Sequence, residues 1–297
     1  MIYDVRHRTI YDYNTPVSFT RCVLRMTPQS SKSQTVEAHR ITAKPAPSQT
    51  FHRTGPFGES TVTLLIETPH RELLIDATSR VSVHAPPPAP AEDSPAWEVV
   101  KDGAFASLAL GGTSPAAFLY PTRRIPLVAG ITDYGRASFA KGRPIAEAAI
   151  DLMRRIRADF IFDTKATDVS TGPAQAFAAR RGVCQDFTNV MVSALRGLGL
   201  SAAYVSGYLR TVAPAGRPRL QGADATHAWV QIWCGAEIGW IGLDPTNALV
   251  VQNDHITLAV GRDYADVAPF EGVMLASGDQ AVKVEVDVIP LDELATQ

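Results

Sequence analysis

Cysteines placed to form disulfides are missing from this sequence. Its three cysteines, Cys22, Cys184 and Cys234, are isolated and odd in number, so neither a disulfide framework nor a zinc cluster is expected. A surplus of basic charge is missing as well. The 28 Lys and Arg stand against 30 Asp and Glu, a formal net charge of −2, which offers no basic stripe for a nucleic-acid partner. No apolar run approaches the roughly 20 residues that cross a bilayer. The opening MIYDVRHRTIYDY carries charge from Asp4 onward, unlike a signal peptide. A cytoplasmic location without a membrane partner is therefore expected. Nothing in the sequence marks an oligomeric state, and there is no internal repeat. What is present is the composition of a globular protein: 45% apolar and 20% charged residues over 297 positions, enough for a full core without staples.

Taken in order, the chain changes character once. From Met1 to about Val83 it reads as all-β. Tyr3, Val5 and His7 alternate with Ile2, Asp4 and Arg6, and a turn at Asn14-Thr15-Pro16 leads into a strand from Val17 to Met26. Ser60 to Glu67 and Leu73 to Val83 are further strands, with a turn at Gly55–Gly58, and strands at this spacing predict a sandwich-like domain. Ala85 to Pro95 holds five of the 21 prolines and can continue neither ladder nor helix, so it reads as a linker. The expected organisation is a β domain over 1–84, a Pro-rich linker over 85–96 and a second domain over 97–297.

The second domain opens with helices. A short one is predicted over Glu98 to Leu110. Ile145, Ala149, Met153, Ile156 and Phe160 repeat at helical spacing. A short helix follows, from about Thr171 to Arg180. Cys184, Phe187, Val190, Ala194 and Leu198 form the stripe of the next helix, which ends at Gly197 and Gly199. The period then drops to two: Ala202–Thr211, Thr226–Cys234, Ile238–Asp244 and Val282–Val288 read as strands, with Pro214 to Gly222 as a loop. Helices first and antiparallel strands after predict an α+β fold.

Cys184 stands two residues after Gly182, where a helix begins. Free N–H groups and the dipole at a helix start favour negative charge, so a thiol there is suited to act as a nucleophile. Those N–H groups can also serve an oxyanion. The proton acceptor must come from elsewhere, and His227 in ATHAWVQIW is the candidate. On a strand it shares a face with Trp229, Gln231 and Trp233, away from the apolar face of Ala228, Val230, Ile232 and Cys234. A two-residue turn at Gly235-Ala236 would pair residues whose numbers sum to 471, setting Cys234 against Glu237, Val230 against Ile241 and His227 against Asp244. A carboxylate there would orient the imidazole.

RRGVCQDF, DATHAWVQIW and GWIGLDPTN together resemble the Cys-His-Asp core of the bacterial transglutaminase-like superfamily. YDVRHRTIYDYNTPV and CVLRMTP resemble its companion N-terminal β domain, and HITLAVGRDYADVAPFEGV fits its C-terminal part. The resemblance spans nearly the whole chain, with 43 residues from Cys184 to His227 and 17 from His227 to Asp244. It implies a papain-like core, helices packed on an antiparallel sheet, with Cys184 as nucleophile, His227 as base and Asp244 as orienter. It further implies acyl transfer on a peptide or amide substrate, resolved by water or by an amine acceptor. Some members of the superfamily use calcium, but no Asp-rich loop occurs here, so no metal and no cofactor are expected.

Other residues carry two readings. Trp229, Trp233 and Trp240 are a substrate platform or a second buried layer. Gln185 resembles an oxyanion-hole glutamine by residue type alone. Asp186 favours the helix dipole, and Asp224 caps or orients the loop before His227. Arg262 and Asp263 pair, His255 ends a strand, and Arg180 and Arg181 form a solvated helix end or favour the thiolate. Cys22 and Cys234 are buried core. The competing functional class is a catalytically silent binding module that keeps the fold.

Overall fold

The computed structural model describes residues 1–211, 225–275 and 278–291. The loop expected from Pro214 to Gly222, and Asp224, lie outside the described residues. The N-terminal region lays down β1 (Ile2–Val17), β2 (Phe19–Leu24), β3 (Gln34–Lys44), β4 (Gln49–Thr54), β5 (Ser60–Ile66) and β6 (His70–Val83). Beyond the linker come helices α1 (Trp97–Phe105), α2 (Ala129–Arg136) and α3 (Ile145–Asp159), strand β7 (Ile161–Phe162), helix α4 (Pro173–Ala179), strand β8 (Arg181–Gly182) and helix α5 (Cys184–Gly197). Strands β9 (Ala202–Leu209), β10 (Ala225–Trp233), β11 (Trp240–Asp244), β12 (Leu249–Val250) and β13 (His255–Gly261) follow. A short helix, α6 (Tyr264–Val267), then leads to β14 (Phe270–Leu275) and β15 (Gln280–Pro290). None of the described helices is long and apolar enough to cross a membrane.

Two four-stranded sheets make the β region, in the orders β15-β1-β6-β3 and β14-β2-β5-β4. Leu24, Ile66, Leu73 and Ile75 are fully buried between them, each contributing about 1.5–3 kcal/mol by removal from water. The expected run of the second domain to residue 297 needs correction here. β14 pairs with β2 and β15 pairs with β1 over Tyr3–Tyr13, so these strands complete the first domain. Val286 and Val288, in the alternating tail, are buried against it.

The second domain is a five-stranded antiparallel sheet, β12-β11-β10-β9-β13, with α5 across one face. Ala228, Val230, Ile232 and Cys234 face α5 through Val190, Ala194 and Leu195, as their alternation requires. The apolar stripe alone understates how enclosed α5 is. Every residue from Asp186 to Arg196 is buried, polar ones included. The Arg196 guanidinium donates there through Nε and Nη2 to the carbonyls of Phe118, Ala202 and Arg262. A third cluster joins the two domains: Tyr3, Val5, Val81 and Val286 from the sandwich meet Tyr208, Ile256 and Leu258 from the sheet.

Candidate active site

Cys184 is the first residue of α5 and remains partly exposed. The chain reaches it through Gly182 at φ +157°, where a Cβ would collide with the Asp186 carboxylate. Asp186 Oδ2 accepts the Val183 N–H (2.8 Å) and the Thr167 hydroxyl (2.6 Å). That carboxylate therefore fastens the helix start to the preceding loop. Arg180 departs from both of its expected roles. Its guanidinium lies over the rings of Phe177 (3.9 Å), Tyr134 (4.8 Å) and Phe160 (4.8 Å), a cation–π cage rather than a solvated end. Arg181 pairs with Asp163.

His227 lies in β10 opposite Gly207 of β9 and is 8% exposed. Its Nε2 is 2.8 Å from Asp244 Oδ2, which leaves Nδ1 for other partners, and the Cys184 thiol lies near enough to act on the ring. Burial alone would push this imidazole down. The hydrogen bonds and negative charges of Asp244 and Cys184 outweigh burial and raise its pKa to about 10. Asp244 is fully buried at the end of β11. Burial would push its carboxyl up, yet hydrogen bonds from His227, His255 and Asn247, with the charge of His227, hold it well below the usual carboxylate range. Its other oxygen, Oδ1, accepts the N–H groups of Thr246 (2.9 Å) and Asn247 (3.2 Å).

The hairpin carries a register different from the expected one. Val230 faces Leu243 and Trp233 faces Trp240, so paired numbers sum to 473 rather than 471. The reason is the turn. Gly239 N–H bonds to Gly235 O (2.8 Å) and Cys234 N–H to Gly239 O (2.7 Å), closing a loop over residues 235–238 with positive φ at both glycines. An even shift keeps every side chain on its face, so His227 and Asp244 meet diagonally instead of directly.

Trp229 is fully buried. Its ring lies edge-on to His255 (5.2 Å between centroids) and against Gly207, where a Cβ would collide with it. It is a floor beneath the imidazoles and offers no platform to a substrate. Trp240 donates to Thr113 O (3.2 Å) and packs edge-on against Phe118. Gln185 Nε2 lies 3.4 Å from Val169 O. The expected Arg262–Asp263 pair is replaced by Arg262–Asp266 (2.8 Å), while Asp263 caps α6. Cys22 and Cys234 are buried, and burial pushes their thiols up to about 11 and about 12.

Two participants escape a reading of the sequence alone. Asn247 donates to Asp244 Oδ2 at 2.8 Å, and the DPTN turn offers a local hint of it. His255 begins a strand rather than ending one, and its Nε2 reaches the same Oδ2 at 3.2 Å. No local signal predicts that contact, because β13 lies three places from β11 in the sheet, with β10 and β9 between them. His227, Asp244 and His255 place ligating atoms within 4.8 Å of one another.

Comparison with known proteins gives the same core. Residues 3–82 match the bacterial transglutaminase-like N-terminal region and residues 133–245 the transglutaminase-like superfamily. An uncharacterised protein of Mycobacterium tuberculosis is 37% identical, with 98% of this chain and 93% of the relative covered. One of Mycobacterium leprae is 30% identical, with 97% and 98% covered. A crystal structure of a candidate cysteine protease from Cytophaga hutchinsonii superposes with a TM-score of 0.72 at 18% identity, covering 98% of this chain and 91% of its own. The fold is α+β, a papain-like core joined to a β sandwich, and by sequence and fold together the chain belongs to the transglutaminase-like superfamily.

Proposed function

We propose that this protein is a cysteine-dependent acyl-transfer enzyme acting on amide or peptide bonds, with hydrolysis as its ordinary outcome. One observation carries the reading: a partly exposed thiol at a helix start shares the His227 imidazole with a buried carboxylate. In this mechanism Cys184 Sγ attacks the carbonyl carbon and its proton rests on His227 Nδ1. The free N–H groups at the start of α5 face the oxyanion. His227 returns the proton to the leaving amine as the C–N bond breaks, and a thioester remains on Cys184. Water, activated by the same imidazole, then releases the acid. An amine acceptor would instead give a new amide, and water is favoured because it is always at hand. Asp244 keeps the imidazole turned to the thiol. The same proposal places the enzyme in the reducing cytoplasm, in keeping with three unpaired cysteines.

The test is profiling against amide and peptide libraries, comparing the native chain with Cys184→Ala. Substrates consumed only by the native chain name the reaction. Binding of a peptide by both forms without consumption by either would favour a silent binding module and end this reading.

A further inference from the structure

Beside Cys184 the surface opens into a cavity of about 700 Å³, within the size range of ligand sites. Gln185, the next residue along α5, stands in its wall, as does Tyr264. Tyr264 and Cys184 pack against the same hydrophobic cluster beneath α5 and the sheet. The cavity and the nucleophile are therefore one neighbourhood.

The charge in that wall is unbalanced. Arg123 and Arg124 both line it and both are exposed. Arg123 has no hydrogen bond or ion pair among the described residues. Arg124 gives one N–H to Val169 O (3.2 Å), and its guanidinium lies 5.9 Å from the Tyr264 ring centre. Neither contact supplies a negative charge. The acid in the wall, Asp263, is buried and bonds the Ala265 N–H (2.8 Å), with the Arg196 guanidinium as its cationic neighbour.

We infer that this cavity is a substrate subsite selecting amides or peptides that carry a carboxylate close to the scissile carbonyl. Arg123 and Arg124 bind the carboxylate through their planar forks. The inference rests on Cys184 being the nucleophile and adds the charge class of what it attacks.

Iodoacetate and iodoacetamide test it without knowledge of the substrate. Both alkylate a thiol with loss of iodide, and they differ in one negative charge. The rates are read at Cys184 by mass spectrometry on the full chain at low salt, where exposed charges act furthest. The ratio of the iodoacetate to the iodoacetamide rate should fall about fivefold or more in Arg123→Gln/Arg124→Gln, and the Arg123→Lys/Arg124→Lys variant should recover it. An unchanged ratio in the Gln variant overturns the subsite. In a second arm, peptide amides bearing Glu, Gln or Lys beside the cleaved bond are compared. The native chain should favour Glu in kcat/KM and Arg123→Glu/Arg124→Glu should favour Lys; a native preference for Gln or Lys also overturns it. Failure of the underlying reading looks different. Cys184 of the native chain would then react with iodoacetamide no faster than a free model thiol at the same pH.

Discussion

Two buried histidines in this molecule sit in opposite electrostatic worlds. His7, in the seam between the sandwich and the second sheet, is 2% exposed and meets the Tyr208 hydroxyl (2.9 Å) and Thr9 (3.3 Å). Burial pushes its pKa down to about 4. His227 is 8% exposed and meets a carboxylate and a thiol, and its pKa rises to about 10. Burial is nearly equal, so burial does not decide the sign. A neutral hydroxyl cannot compensate a buried imidazolium; an ionised partner can. His7 is a structural joint, and His227 is built to hold a proton.

The strongest way to break the contrast is to make the second site resemble the first. Asp244→Asn removes the negative charge and leaves the shape, so the pKa of His227 should fall below 6.5 and turnover should drop by about 10³–10⁴. NMR titration of the ring and single-turnover rates check both; an imidazole still charged at neutral pH would show that Asp244 is not what holds the proton.

The next test sharpens the contrast through stability. A folded pKa below the unfolded value means that His7 contributes fully above about pH 6.5 and loses that contribution as pH falls towards about 4, a loss of about 3 kcal/mol. His227 has the reverse sign: its contribution is full below about pH 6.5 and is lost as pH rises through about 10. Asp244 contributes above its unfolded value near 3.8 and loses that contribution as pH falls further. His7→Gln should flatten the pH dependence of the unfolding midpoint between pH 4 and 6.5 and leave the alkaline limb in place. Equal slopes for His7→Gln and the native chain would remove His7 from the acid limb.

His255→Leu removes one of the donors to Asp244. A lost bond to a charged group is worth about 1.5–3 kcal/mol, so turnover should fall roughly ten- to a hundredfold, with the pH–rate profile displaced. A loss of stability alone, with the profile unmoved, would make His255 only a packing residue. Smallest is Thr167→Val, which deprives Asp186 of one donor and should cost about 1 kcal/mol in unfolding with little effect on Cys184 alkylation.

Much of the fold and of the candidate site is legible in the sequence, for reasons that differ by element. The alternation in β1 and β6 and the 3.6-residue stripe of α3 are local patterns that survive folding intact. β3 and β4 carry no such pattern. β4 is exposed along its whole length, so no buried face selects its residues. The partners of β14 and β15 lie at the other end of the chain, and no local pattern encodes that pairing. At the site, Cys184, His227 and Asp244 could be grouped because helix start, strand face and hairpin each leave a local mark. The register was misread because Gly239 closes a longer loop than Gly235-Ala236 alone suggests. His255 and the aromatic cage of Arg180 depend on tertiary packing between distant elements and leave none.

The return of β15 to the edge of β1 has a temporal consequence. Synthesis delivers β1 long before β15, so one edge of β1 stays unpaired while the whole of residues 84–269 is made. The part holding Cys184 is thus an insertion within the sandwich, tethered at both ends. Its helices and sheet can condense as soon as they emerge, but the frame that seats them closes only when Gln280–Pro290 arrives. A nascent chain cut before that point would carry the Cys184, His227 and Asp244 side chains and an open strand edge ready to pair with another copy.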